Sequence, residues 1–297
     1  MHLILILVSD PATPAVDAAL LKEAAALAEA GASAAVLAEG IAGEIAFEAD
    51  SAGAKSVEAR IRALIGDRPI DVAVLPATHR RKRLLVADMD STIIRQECID
   101  ELADLVGLKA LVAAITQRAM RGEVAFEPAL RERVALLKGL PVAVIDRLLA
   151  ERIELMPGAT TLVRTMRASG AHAALVSGGF TAFTGPIAAK VGFNEHSSNE
   201  LVVEAGLIAG RVVEPVKGRE AKLATLTELT RRLGLRPEET LAIGDGANDL
   251  AMIGAAGLGV AYHAKPAVAA AARARIDFGD LTALLYLQGF RRAEFVT

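Results

Sequence analysis

The stretch LLVADMDST, residues 84–92, sets a run of four apolar residues directly against two aspartates, Asp88 and Asp90. Short apolar runs closed by polar residues read as buried strands. Three more follow along the chain: AALV before Ser177, LAI before Gly244 and LGVA before Tyr262. Long helical patterns separate them; over residues 222–233, Leu223, Leu226, Leu229 and Leu233 fall on one stripe. Strands alternating with helices predict an α/β fold, a doubly wound, Rossmann-like parallel sheet. Ligands of such sheets bind beyond the C-terminal ends of the strands, which is where the polar residues stand here.

Working outward, residues 98–153 carry no strand signal and several amphipathic helical patterns. Inserted after the first strand of the sheet, they predict a helical cap able to cover the strand ends and exclude water. Residues 199–215, with Glu204, Ala205 and Gly206 at the middle, read as a hairpin appended to the sheet core. Upstream, strands at 3–8, 33–37, 45–49 and 71–75 interleave with helices at 16–30 and 57–65. That is a β-α-β-β-α-β module, the split arrangement of ferredoxin-like folds. The expected organisation is a small α+β module at 1–76, a basic linker at 77–83 and the α/β core with its cap at 84–297. The linker holds HRRKR, residues 79–83, read as a solvated charge run rather than a nucleic-acid patch.

A length of 297 residues suits about two domains. Lys and Arg number 33 against 36 Asp and Glu, a net charge of −3 that argues against nucleic-acid binding by global charge. Aromatic residues make up 3% and Trp is absent, so the core must be aliphatic. The lone Cys98 excludes a disulfide framework or a Cys-rich zinc site. The longest uncharged stretch, residues 250–264, falls short of the roughly 18–20 residues of a membrane span. The apolar N-terminal run lacks a basic flank and meets Asp10 at once, so it reads as a strand and not a signal peptide. The expectation is a cytoplasmic protein whose partner is a small molecule, with no nucleic acid and no membrane; a homodimer is left open.

The chemistry lies in the strand-end loops. Residues two apart on an extended segment face the same way, so Asp88 and Asp90 are expected to address one point, which suggests Mg²⁺ and an anionic substrate. Aspartates at strand ends also open turns and cap helices, and on this fragment alone both readings stand. In GDGAND, residues 244–249, Asp245 and Asp249 lie four apart and share a side if the chain turns helical. VSGGF, residues 176–180, offers a hydroxyl and backbone N–H groups, the equipment of an oxyanion or phosphate pocket. It is not a G-x-S-x-G elbow, which argues against a serine hydrolase. In the cap, Arg133 falls on an apolar helix face beside Ala129, Leu130, Leu136 and Leu137 and needs a partner there, whereas Arg131 has Glu127 one turn away.

DMDST, VSGG, a following Lys and GDGAND, in that order, resemble the four motifs of the haloacid dehalogenase (HAD) superfamily of phosphohydrolases. The resemblance covers about residues 84–285. The cap segments DMDSTIIRQECIDELA and AMRGEVAFEPALRERVALLKGL are similar to those of its phosphoserine phosphatase branch. The N-terminal module lies outside this match and is similar to ACT-type modules.

The resemblance implies a HAD-like fold that hydrolyses O-phospho-L-serine to L-serine and phosphate, the last step of L-serine biosynthesis. Asp88 is then the nucleophile that forms an aspartyl-phosphate, and Asp90 the general acid and later base. Mg²⁺ falls to Asp88, the backbone carbonyl of Asp90 and Asp245, with Asp249 and Asn248 supporting. Ser177, Gly178 and Gly179 hold the phosphate, neutralised by Lys222, which stands 23 positions before Asp245; Lys217 is the alternative. Glu97 takes the substrate ammonium, Arg133 its carboxylate, and Met120 and Phe126 cover it. Three other readings remain: transfer of the phosphoryl group to an acceptor such as homoserine, hydrolysis of another small phosphorylated metabolite, and a non-catalytic serine sensor.

Overall fold

The computed structural model describes residues 1–29, 32–120 and 123–297. The N-terminal module comprises β1 (His2–Ser9), α1 (Ala18–Ala28), β2 (Ala34–Ala38), β3 (Ala42–Glu48), α2 (Ser51–Ile65) and β4 (Ile70–Pro76). Its antiparallel sheet has the order β2-β3-β1-β4. Both helices open on an aspartate: Asp17 accepts the Leu20 N–H at 2.7 Å and Asp50 the Gly53 N–H at 2.7 Å. The unbroken apolar run of β1 has a physical reason, since the strand is buried on both faces. Leu3, Leu5 and Leu7 pack with α1 and α2, while Ile4, Ile6 and Val8 join the core of the catalytic half.

That half begins with β5 (Leu84–Ala87), followed by the cap helices α3 (Cys98–Asp104), α4 (Lys109–Met120), α5 (Phe126–Ala135) and α6 (Val144–Glu151). The chain continues through α7 (Ala159–Ala168), β6 (His172–Phe180), α8 (Thr181–Val191), β7 (Glu195–Asn199), β8 (Leu201–Glu204) and β9 (Leu207–Val212). It ends with α9 (Arg219–Arg232), β10 (Thr240–Gly244), α10 (Leu250–Ala255), β11 (Leu258–Tyr262), α11 (Pro266–Ala271), β12 (Ala274–Ile276) and α12 (Ala283–Leu287). The sheet runs β12-β11-β10-β5-β6-β7, and every pairing in it is parallel. This is the doubly wound α/β architecture the strand and helix alternation predicts. With β5 between β10 and β6, the loops carrying DMDST, GDGAND and VSGG leave neighbouring strand ends. Among the described residues no helix is long and apolar enough to cross a membrane.

Two sequence expectations need correction. The hairpin β8–β9 is not an appendage of the sheet core: the Gly139 and Val142 N–H groups donate to the carbonyls of Ile208 and Gly206 at 2.8 and 2.9 Å, and Ile208 N–H to Leu140 O at 2.8 Å. The hairpin thereby extends the cap, because its backbone groups find partners in the turn after α5. The basic run 79–83 is not merely solvated. Arg80 pairs with Glu44 of the module at 2.7 Å, Arg81 with Glu294 at 2.6 Å, and the Lys82 ammonium, 8% exposed, donates to the Glu238 carbonyl at 2.7 Å. The segment crosses the seam between the two sheets, and its charges meet counter-charges from both sides.

Candidate active site

Asp88 follows β5 immediately, its N–H still bonded to the Ile243 carbonyl at 3.0 Å. Its Oδ1 lies 2.6 Å from Lys222 Nζ, which lies 2.6 Å from Asp249 Oδ1. Lys222, one turn into α9, is only 2% exposed. An ammonium so buried persists only when paired, and two carboxylates raise its pKa above the ordinary lysine value. Two carboxylates against one cation leave surplus negative charge. Burial first, and repulsion from Asp249 next, push the Asp88 carboxyl well above the usual range. Asp249 is fixed from behind by the Gly246 N–H on its Oδ2 at 3.0 Å. A side chain on Gly244 would collide with that carboxylate, which is why the motif begins with glycine.

Asp88 and Asp90 line the same cavity, but only Asp88 joins the carboxylate cluster able to hold a cation. The chain bends directly after β5, with the Ile93 and Ile94 N–H groups both donating to the Met89 carbonyl at 2.8 and 3.0 Å, so strand alternation ends before Asp90. Asp90 instead accepts the Cys98 N–H at 2.9 Å and the Ser177 hydroxyl at 3.1 Å. Burial raises its pKa, against the pull of these hydrogen bonds. The cluster able to hold a divalent cation is Asp88, Asp245 and Asp249, whose nearest carboxylate oxygens lie within 4.8 Å of one another. Three hard oxygen donors beside a net negative charge suit such an ion. Asp245, positioned by the Thr92 hydroxyl at 3.3 Å, also has its pKa raised, by burial and then by Asp249.

Across from Asp88, Ser177 Oγ accepts the Gly179 N–H at 2.8 Å. Gly178 lies under the cap, where a Cβ would stand 2.9 Å from Phe126 Cζ. Phe126, the first residue of α5, thus rests its ring on the glycine loop. Arg133, on the same helix, lines the cavity and donates from Nη1 to Thr116 Oγ1 at 3.2 Å. Among the described residues no carboxylate lies within 4 Å of its guanidinium, and burial lowers its pKa. Arg131 pairs with Glu127 at 3.6 Å and, more closely, with Glu214 at 2.9 Å. Glu97 accepts the Ser91 hydroxyl at 2.9 Å. The cavity, open to solvent, measures about 470 Å³ and is lined from both sides, by Asp88, Ser177 and Asn248 below and Glu97, Phe126 and Arg133 above. Lys217 lies away from this cavity, its ammonium on Ser197 Oγ at 3.1 Å. The side chain of Met120 is outside the described residues.

The family model for haloacid dehalogenase-like hydrolases matches residues 85–254, from β5 through the loop after β10 and into α10. The chain belongs to that family. Among characterised relatives of this HAD hydrolase, a phosphoserine phosphatase of Mycobacterium tuberculosis is 45% identical over 227 residues, 76% of this chain and 55% of that protein. The match therefore spans about half of that relative's length. The phosphoserine phosphatase of a Polaromonas species is 48% identical over 210 residues, 69% of this chain and 89% of that protein. A crystal structure of a HAD family hydrolase from Salmonella enterica serovar Typhi superposes with a TM-score of 0.84 at 27% identity. It covers 97% of this chain and 98% of its own, so the similarity includes the N-terminal module.

Sequence reasoning missed several residues of the HAD site. Thr116 supports Arg133 from a neighbouring cap helix, and the Cys98 N–H donates to Asp90. Neither leaves a signal in the sequence. Lys265, whose N–H donates to the Asp245 carbonyl at 3.2 Å, follows β11 and was reachable by the strand-end rule.

Glu97 is exposed to solvent at the cavity, although protein packs around part of its carboxyl. That burial, and then repulsion from Asp90, push its pKa up to about 7. A carboxyl with a raised pKa is neutral below that value and ionised above it. If Glu97 binds an ammonium group, KM for an amino-acid phosphate should rise as pH falls through about 7. KM in Glu97→Gln should stay high and lose that dependence. Steady-state KM measured from pH 6 to 8.5 checks this, with an aryl phosphate as the control for titration of the phosphate. An unchanged pH dependence in Glu97→Gln would exclude the role.

Proposed function

We propose that this HAD hydrolase cleaves O-phospho-L-serine to L-serine and inorganic phosphate. The observation that carries the reading is the opposition of two sets of groups across one cavity. Asp88 and Ser177 lie on the sheet side, with Lys222 against Asp88, and Arg133, which among the described residues has no carboxylate within 4 Å, lies with Glu97 on the cap side. A small ester with a phosphate at one end and an amino acid at the other satisfies every one of these charges. The names of the two characterised relatives support the same substrate.

The steps follow from the positions. An Asp88 carboxylate oxygen attacks phosphorus; the bond from phosphorus to the serine oxygen breaks, and the phosphoryl group is carried on Asp88 as a mixed anhydride. Asp90, whose raised pKa favours the protonated form, donates its proton to the departing serine oxygen. Asp90, now ionised, accepts a proton from the water that attacks phosphorus in the second step, which frees phosphate and restores both carboxyls. Ser177 and the Gly178 amide orient the phosphoryl oxygens, and Lys222 balances their charge. A bound Mg²⁺, for which Asp88, Asp245 and Asp249 supply the donors, adds positive charge where the anionic nucleophile meets the anionic phosphate. Phe126 keeps bulk water from the phosphoryl-enzyme.

Arg133→Ala tests the substrate. Its loss should lower kcat/KM for O-phospho-L-serine by about 10- to 100-fold, the worth of a hydrogen bond to a charged group. Hydrolysis of p-nitrophenyl phosphate, which has no carboxylate, should stay within about two-fold. Equal losses on both substrates would remove the carboxylate role and with it the argument for an amino-acid phosphate.

A further inference from the structure

Strand β6 parts from β7 just where the phosphate loop begins. The ladder pairs Val176 with Ser197 and resumes only at Phe180 with Asn199, so residues 177–179 face the single residue Ser198. The backbone groups of that bulge forfeit ladder partners. The Asn199 side chain, in a residue 2% exposed, takes their place: Nδ2 donates to the Gly178 carbonyl at 2.9 Å and to the Lys217 carbonyl at 3.0 Å, while Oδ1 accepts the Lys217 N–H at 2.7 Å. One amide thereby ties the phosphate loop to the segment that leads into α9, the helix of Lys222. The two tied segments meet the same cap residue. A Cβ on Gly178 would lie 2.9 Å from the Phe126 ring, and one on Gly218 3.1 Å from it.

We propose that Asn199 is a positioning residue for phosphoryl transfer: it holds the Gly178 carbonyl out of the anion cavity and fixes the paired glycine seat on which the cap residue Phe126 closes. The reason lies in the Gly178–Gly179 peptide. A peptide between two glycines reorients at little steric cost. Turned over, it would aim a carbonyl oxygen at a phosphate dianion. One hydrogen bond from a buried amide holds it the other way, and the two to the Lys217 backbone keep the start of α9 in register with it.

This inference rests on the phosphate site proposed above, and inorganic phosphate is the probe that separates the two. Asn199→Asp keeps the shape and the acceptor but removes both donors. Calorimetry with inorganic phosphate in the presence of Mg²⁺ should show binding weakened about ten-fold or more, with kcat for O-phospho-L-serine reduced to a similar extent. Binding of L-serine, which depends on Glu97 and Arg133, should change less than about two-fold. A general structural role would instead weaken both ligands together and lower the melting temperature. Should the Asp variant not fold, Asn199→Ser, whose hydroxyl is too short to span both carbonyls, is measured in the same way with the same expected split. Phosphate affinity equal to that of the wild type in a folded variant, or parallel losses of phosphate and serine, overturns the proposal. A wild type that binds phosphate but does not cleave O-phospho-L-serine overturns the proposed substrate and leaves the role of Asn199 to the same comparison.

Discussion

Asp88→Asn is expected to lower turnover of O-phospho-L-serine by roughly 10⁴-fold or more, the scale seen when a covalent nucleophile is removed. The change is isosteric, so the cavity keeps its shape. Stability should not suffer. Asp88 is 5% exposed, and burial and Asp249 raise its pKa, so its ionised form opposes folding at neutral pH. The sign follows from linkage: a carboxyl whose folded pKa exceeds its unfolded value costs stability above the unfolded value, and an amide removes that cost. Lys222 keeps Asp249 as a partner at 2.6 Å. Thermal unfolding without divalent ions should therefore give a melting temperature equal to or above that of the wild type, while a discontinuous phosphate assay reads the lost turnover. A folded variant with activity within ten-fold of the wild type would remove Asp88 from the chemistry.

Lys222→Met has a smaller but still large effect on catalysis and the opposite effect on stability. Met matches the length and flexibility of the stem but carries no charge. Its loss leaves Asp88 and Asp249 facing each other in a buried site. Breaking a buried pair in this way costs about 3–5 kcal/mol. The penalty depends on ionisation: it is full at pH 8 and shrinks as pH falls and the stranded Asp88 carboxyl, already raised by burial, takes up its proton. Urea unfolding of both proteins at pH 5 and pH 8, with chelator present, reads that difference. Adding Mg²⁺ should narrow the gap at pH 8 by restoring positive charge to the cluster. Turnover should fall by roughly 10²–10³-fold, as for other residues that stabilise charge developing in the transition state. Equal stability of the two proteins at pH 8 would contradict the ion triad.

The parallel sheet was legible because β5, β6, β10 and β11 are buried on both faces and so appear as unbroken apolar runs. Its edges were not. β7 reads EHSSN, with polar side chains throughout, and β12 has three residues, too few to show a pattern. The acidic loops were found from their strand ends, but the order β10-β5-β6 that brings them together depends on helix packing far from the motifs. The orientation of Asp90 depends on a backbone bend that spacing cannot express. Arg133 was recognisable as a charge on an apolar helix face, whereas Thr116 beneath it was not, because contact between two helices leaves no trace in either one. The basic run at 79–83 misled for a related reason: Glu44 and Glu294, the counter-charges of Arg80 and Arg81, stand far off in the chain. Asn199 escaped notice because its value lies in filling a gap between strands.

The central claim joins a phosphoryl-transfer site on the sheet to an amino-acid site on the cap. It is tested most directly by measuring release of phosphate and of L-serine from O-phospho-L-serine by the purified chain with Mg²⁺, beside a panel of other phosphate esters. The account predicts equimolar phosphate and L-serine, with kcat/KM for O-phospho-L-serine at least about 10²-fold above that for p-nitrophenyl phosphate, since a site built for a charged group rejects an ester that lacks it. Comparable rates across the panel, or no release of phosphate from O-phospho-L-serine, would contradict it.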